Sequence, residues 1–395
     1  MSGARPLLAH VTTSDISLEL LLGTQLEAFG RAGFDVVGIS APGPYASALA
    51  QRGVRHVPLA QATRSMAPTR DLAVLAELAR VLRRLRPTIV HTHNPKPGIY
   101  GRIAARATRV PVVVNTVHGL YAQPEDRLRK RALVYGAERI AAACSHAELV
   151  QNPEDLETLA RLRVPSAKLT LLGNGIDLTR FDPSTASTAE VDAARRELGA
   201  TGPGDLVVGL VGRLVREKGY PEVFEAARRL RGRLPHVRFA VIGGSDDEKA
   251  DSLSATDLAN AAACGVRMMG SRSDVDVLYR GMDLFLLASH REGFPRAAME
   301  AAAMGLPAIV TDIRGCRQVV DQNVTGLRVP ARDAGALEAA VEELAQDPDR
   351  RAAMGSAARV KARKEFDVRR CIDITLDTYR RLLARHAPAS LPAVS

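Results

Sequence analysis

The chain has 395 residues, 46% hydrophobic, 25% charged and 4% aromatic. That is the balance of a soluble globular protein, and at about 150 residues per domain it allows two domains with a core each. No run approaches the ~18 apolar residues of a membrane span, and residues 1–11 do not read as a signal peptide, so the protein is expected in the cytoplasm. The net charge of +10 is uneven: residues 1–180 hold 23 Lys and Arg against 14 Asp and Glu, and the remainder 31 against 30. Such a basic half suits anionic lipid headgroups, a phosphate-bearing acceptor or nucleic acid, or is simply an arginine-rich surface. Cys144, Cys264, Cys316 and Cys371 lack metal-ligand spacing, and no disulfide is expected.

Residues 7–11 read as a buried strand, 12–16 as a loop, and Leu18, Leu21, Leu22, Leu26 and Phe29 as the apolar stripe of a helix that Gly33 ends. Strands at 34–39, 88–93, 111–117, 147–151 and 168–172 alternate with helices at 71–84, 98–107, a segment through Ala143, and one opening at Asn152-Pro153-Glu154. This alternation predicts a parallel α/β layer, in which ligands bind beyond the carboxyl ends of the strands. His91 and His93 lie at one such end and His118 at another. A His-x-His pair is a candidate zinc ligand, but no nearby Cys or carboxylate completes a site, so no metal is expected. His118 is backed by Gly119 and suits a side chain directed into a cleft. Lys96, Arg102, Arg106, Arg109, Arg127, Arg129, Lys130 and Arg131 form basic clusters on helical segments beside Leu128, Leu133 and Val134, suited to an anionic membrane or to a solvated basic face.

Residues 182–188 are small, polar and proline-marked, as in a linker or surface loop. A second α/β series follows. The strand 206–211 leads into Gly212-Arg213 and Lys218-Gly219, with a helix beginning near Tyr220-Pro221. A glycine, two cations and a helix start at a parallel strand end make a diphosphate cradle. The strand 237–242 ends in Gly243-Gly244-Ser245. Asp246, Asp247, Asp251, Asp274 and Asp276 invite a metal reading, but Asp and Ser ahead of helices are ordinary N-caps, and the capping reading is preferred. After the apolar run 284–287 comes His290-Arg291-Glu292-Gly293-Phe294-Pro295-Arg296, continuing to Glu300. If Glu292 and Glu300 shared one helix they would stand ~12 Å apart along its axis. That spacing fits one elongated ligand held at two points better than a glycosidase carboxylate pair at roughly 5–9.5 Å. A strand at 306–311, a turn at Val324-Thr325-Gly326 and helices at 334–344 and 372–383 complete the chain.

Assembled in order, Gly212-Arg213, Lys218-Gly219, Asn174-Gly175-Ile176-Asp177, His118-Gly119 and the Glu292 to Glu300 pair resemble the family-4 retaining glycosyltransferases. The resemblance implies the GT-B fold: α/β, with two facing Rossmann-like domains, parallel sheets and an interdomain cleft. It implies domains at 1–180 on the acceptor side and 181–365 on the nucleotide-sugar side, with 366–395 a terminal helix packing back on the first. By the same resemblance His118, Arg213, Lys218 and Glu292 are catalytic. Arg213 and Lys218 would hold the donor diphosphate. Glu292 with the Gly293-Phe294-Pro295 backbone would hold the sugar, Glu300 the ribose, and Gly212 and Gly243 line the donor. His91-Thr92-His93-Asn94-Pro95-Lys96 and Gln151-Asn152-Pro153-Glu154 look like the branch extending polyprenyl-diphosphate-linked sugars, which puts His93, Asn94 and Lys96 on the acceptor side. The implied activity is transfer of a hexose or N-acetylhexosamine from a nucleoside diphosphate sugar, UDP-sugar favoured, with retention and without metal or cofactor. The acceptor would be a lipid-linked or other glycan at the inner membrane face. The rivals are a sugar-nucleotide epimerase, a glycan phosphorylase, and a basic nucleic-acid-binding protein, which would lack an aromatic platform.

Overall fold

The computed structural model describes residues 5–62, 68–93, 95–122, 126–245, 249 and 251–390. The chain divides into two units, one running up to Gly173 and resuming at Val368, the other spanning Asn174–Asp367. The 182–188 segment read as a linker lies inside the second unit, where Ser187 and Glu190 form a capping box opening the helix Thr188–Glu197. The helix Val368–His386 belongs to the first unit.

Among the described residues the first unit holds a parallel sheet of β1 (Leu7–Ser14), β2 (Asp35–Ala41), β3 (Arg55–Pro58), β4 (Ile89–His93), β5 (Val112–Val117), β6 (Ala147–Val150) and β7 (Leu169–Leu171), ordered β3-β2-β1-β4-β5-β6-β7. Both faces are covered, which is why these strands read as unbroken apolar runs. Leu8, Ile89, Val112 and Val114 point to the face packed by Leu26 and Phe29 of the helix Gly23–Arg31 and by Ile372, Leu376 and Tyr379 of the helix Val368–His386. Ala9, Val90 and Val113 point the other way, against Leu78 of the helix Pro68–Leu85 and Ala104 of the helix Pro95–Ala107. The twofold alternation therefore sends His10, His91, His93 and Thr116 to the face that the C-terminal helix covers.

The second unit holds β8 (Leu206–Val211), β9 (Val237–Ile242), β10 (Val266–Met268), β11 (Leu284–Leu287), β12 (Ala308–Thr311) and β13 (Gly326–Val329), ordered β10-β9-β8-β11-β12-β13 and again parallel. The helices Tyr220–Leu230 and Ala334–Gln346 supply Val223, Leu230, Leu337 and Val341 to one face, and Ala298 and Met299 of the helix Arg296–Ala303 pack on the other.

Three short outer strands, β3, β10 and β13, escape a sequence reading because each has four residues or fewer and carries an arginine (Arg55, Arg267, Arg328) in place of a continuous apolar run. Gly326, read as a turn, opens β13: a Cβ there would lie 2.0 Å from the carbonyl oxygen of Ala308, so the glycine serves close strand approach. The helix Pro348–Glu365 was equally invisible. It buries small groups, Gly355, Ala358 and Ala362, and a Cβ on Gly355 would lie 2.1 Å from the Gly305 carbonyl oxygen, so close backbone contact replaces an apolar stripe.

Two of the cations read as surface charge are otherwise employed. Arg102 is fully buried, donating to Glu148 at 2.8 Å and Glu138 at 2.6 Å, while Asn115 donates to the second oxygen of Glu148 at 2.7 Å. Lys96 pairs with Asp71 at 2.6 Å. Asp274, read as a cap, makes no capping bond and accepts from both arms of Arg272 instead. Asp276 pairs with Arg180, and Asp251 accepts the amide of Glu217; Asp246 and Asp247 lie outside the described residues.

Candidate functional site

In the second unit the order of connection reverses between β8 and β11, the place where a parallel sheet opens for a ligand. Gly219 takes a φ of +73°, and a Cβ there would lie 2.0 Å from the carbonyl oxygen of Ala288, so the turn Arg216–Lys218 is pressed against the end of β11. That contact lets Lys218 Nζ reach Glu292 Oε1 at 2.5 Å. The same oxygen accepts from Ser289 Oγ at 2.7 Å, and Thr311 Oγ1 donates to the Ser289 carbonyl at 2.5 Å. The His290 amide donates to the Glu217 carbonyl at 2.8 Å, tying the two strand ends together a second time.

Glu292 and Glu300 do not share a helix. Glu292 precedes the helix Arg296–Ala303, in a loop held by Asn174 Nδ2 donating to the Phe294 carbonyl at 3.3 Å and by Phe294 packing edge-on against Phe366. The backbone at Gly293 lies so close to Gly315 that a Cβ on Gly315 would come within 2.6 Å of the Gly293 carbonyl oxygen. Glu300 sits on the helix, accepting from the Tyr279 hydroxyl at 3.2 Å with Arg296 at 3.9 Å; burial pushes its carboxyl above the usual range. The two carboxylates thus have separate partners, Lys218 and Ser289 for Glu292, Tyr279 and Arg296 for Glu300. Gly212 and Gly243 meet at the ends of β8 and β9, where a Cβ on Gly243 would lie 1.8 Å from the Gly212 carbonyl oxygen, and the Tyr220 hydroxyl donates to that carbonyl at 2.9 Å. Arg213 follows Gly212 and is exposed.

In the first unit the reversal lies between β1 and β4, and His10 stands in register with His91 there. His93 is 1% exposed, so its ring meets other histidines and does not reach solvent as an acceptor-side residue would. Its Nε2 lies 2.9 Å from His10 Nδ1 and its Nδ1 lies 3.0 Å from His118 Nε2. His118 also hydrogen-bonds Gln151, and burial depresses its pKa to about 4; His10 falls to about 3 for the same reason. Asn94 lies outside the described residues. Among the described residues His10, His91 and His93 bring ligand-type nitrogens within 4.8 Å of one another. Those nitrogens are engaged with one another, with Thr116 and with Tyr379, and among the described residues no carboxylate joins them.

The sequence reading missed Ser289, Tyr279, His10 and Tyr379. Ser289 adjoins the motif it supports and His10 lies on a strand already read, so both carried a signal. The tyrosines carried none, since each meets its partner only through folding.

Residues 19–180 match the family described as Glycosyltransferase Family 4, and residues 193–361 match Glycosyl transferases group 1. The chain is 30% identical over 322 residues, 80% of its length and 81% of the relative's, to the UDP-Gal:alpha-D-GlcNAc-diphosphoundecaprenol alpha-1,3-galactosyltransferase of Escherichia coli. It is 26% identical over 275 residues, 68% of its length and 71% of the relative's, to the N,N'-diacetylbacillosaminyl-diphospho-undecaprenol alpha-1,3-N-acetylgalactosaminyltransferase of Campylobacter jejuni. Among solved structures, the sucrose-phosphate synthase of Thermosynechococcus elongatus superposes with a TM-score of 0.79 at 21% identity, over 96% of this chain and 100% of that one. At that identity the likeness concerns the fold.

Proposed function

The chain belongs to the family-4 glycosyltransferases of GT-B fold and is a hexosyl- or N-acetylhexosaminyl-transferase; from that premise we propose that it transfers the sugar of a UDP-sugar to a polyprenyl-diphosphate-linked glycan with retention of anomeric configuration. The observation carrying the reading is the Lys218–Glu292 pair at the switch point, with Glu300 on the helix that follows Glu292 and hydrogen-bonded by Tyr279. Lys218 and Arg213 offset the charge of a departing diphosphate, Glu292 binds sugar hydroxyls, and Glu300 takes the ribose. The relatives' names supply the acceptor class and the uridine nucleotide. Family membership speaks against the epimerase, phosphorylase and nucleic-acid readings.

The acceptor lipid places the enzyme at a membrane surface, and the helix Leu128–Ala143 suits that contact. Leu133 and Ile140, about two turns apart and so on one stripe, are exposed with Leu128, flanked by exposed Arg129 and Arg139. No helix among the described residues is long and apolar enough to cross a membrane.

The test is incubation with UDP-galactose, UDP-glucose and their N-acetyl forms, with and without undecaprenyl-diphosphate-linked GlcNAc, and NMR of the product. Acceptor-dependent UDP release with an α-linked product is expected. Epimer formation without acceptor, or a β-linked product, overturns the reading. For the membrane contact, Leu133→Asp should abolish sedimentation with phosphatidylglycerol vesicles; unchanged sedimentation removes this helix from the proposal.

A further inference from the structure

The turn that carries Lys218 is gripped on both sides by one residue of the neighbouring strand end. The His290 amide donates to the Glu217 carbonyl at 2.8 Å, just before Lys218 in the chain, and the His290 ring brings Nε2 to 2.9 Å from Oε1 of Glu222, just after it. Glu222 lies in the first turn of the helix Tyr220–Leu230, and Lys218 closes the turn Arg216–Lys218 that leads into that helix, so the two bonds straddle the lysine. A carboxylate only accepts, so the ring donates through Nε2. The Glu217 carboxylate is held as well, with Lys249 Nζ at 3.6 Å and Arg291 Nε at 3.8 Å.

The His290–Glu222 contact is not a loose surface pair. The two side chains are only 12% and 19% exposed, and among the described residues the second carboxylate oxygen of Glu222 is buried without a hydrogen-bond partner. A buried oxygen without a partner costs stability, and an apolar pair of the same size would avoid that cost. What the polar pair adds is direction: a hydrogen bond fixes distance and angle, where apolar contact fixes only proximity. The other ties on this turn do less. Gly219 against the Ala288 carbonyl sets how closely the segments approach, and the Lys218–Glu292 pair uses the very groups a ligand has to engage. A diphosphate drawn to Lys218 and sugar hydroxyls drawn to Glu292 compete with that pair, whereas the His290 contacts use neither group and persist.

We propose that Glu222 and His290 are positioning residues: their hydrogen bond holds the Lys218 turn in place at the end of β11 once ligand has drawn Lys218 and Glu292 apart. Both act through Lys218, by keeping its ammonium where charge develops on the departing diphosphate. The inference rests on the reading of Lys218 as a diphosphate contact.

The test is a double-mutant cycle on the full chain, read by steady-state transfer from the UDP-sugar donor. Glu222→Met keeps the side chain's length without its oxygens, and His290→Phe keeps a ring without its nitrogens. Each should lower kcat roughly ten- to thirtyfold, as expected for one lost hydrogen bond to a charged group, with a smaller change in the donor KM. Glu222→Gln and His290→Gln, which retain an acceptor and a donor, should recover most of the rate. In a Lys218→Ala background, Glu222→Met should cost less than about twofold more, because nothing is left to position; if Glu222→Met folds poorly, His290→Phe runs the same cycle. Losses that multiply in the double variant are those of a general structural contribution and overturn the positioning role. Glu222→Gln as slow as Glu222→Met overturns the hydrogen bond as its basis, and wild-type kcat in both Glu222→Met and His290→Phe beside an impaired Lys218→Ala overturns the clamp itself. Wild-type transfer by Lys218→Ala instead sinks the reading of Lys218 on which the inference rests.

Discussion

Lys218 and Glu292 form an ion pair at 2.5 Å although they follow different strands, β8 and β11, and are 74 residues apart in sequence. Their meeting depends on Gly219, whose missing Cβ lets the turn bearing Lys218 lie against the Ala288 carbonyl. A cation held by a carboxylate at a strand end is oriented before any ligand arrives, and preorganised charge is what phosphate-leaving chemistry needs.

Lys218→Ala should therefore lower kcat by on the order of 10²–10³, with little change in thermal midpoint because the pair is only partly shielded from solvent. Glu292→Gln should lose activity too, since Lys218 and Ser289 both rely on its Oε1. Steady-state kinetics with saturating acceptor measures both; wild-type turnover in either variant contradicts the assignment.

Gly219→Ala should destabilise the protein by upwards of about 2 kcal/mol, because it combines a left-handed φ with a backbone collision. Gly232→Ala, where no heavy atom lies within 4 Å of the added carbon, is the control and should be near neutral. Urea denaturation of the two variants separates a positional requirement from a general effect of losing glycine.

Arg102→Met should cost about 3–5 kcal/mol, since it strands Glu148 and Glu138 in the interior without their cation. Combining it with Glu138→Gln and Glu148→Gln should restore part of the loss. If the triple variant is no more stable than Arg102→Met, the uncompensated carboxylates are not the source of the cost.

The buried histidines predict acid sensitivity. With folded pKa values of about 3 for His10 and about 4 for His118 against 6.5 for the free side chain, the unfolded chain binds more protons in that interval. Stability is then complete above pH 6.5 and falls as pH drops from there towards 4 and 3, by up to about 1.4 kcal/mol per pH unit for each group. Urea midpoints between pH 7.5 and 4.5 should show this slope, and His10→Phe should flatten it; an identical slope in the variant excludes His10 as a contributor.

The amino-acid sequence by itself determined the two parallel α/β layers, because strands covered on both faces must be apolar throughout and their ends carry the glycines and cations. It also determined which short segments, around Gly212, Lys218, Glu292 and Glu300, stand at strand ends. Which residues pair there was decided only by the tertiary structure. His93 and Arg102 read as acceptor-side and surface groups, yet both are interior, because the twofold alternation of β4 and the packing of the helix Pro95–Ala107 turn them inward onto His10 and Glu148. Tyr379 meets His91 across most of the chain's length, and no local pattern encodes that contact. Periodicity reports a residue's face and nearest neighbours; a hydrogen bond between distant segments exists only once the sheet order has brought them together.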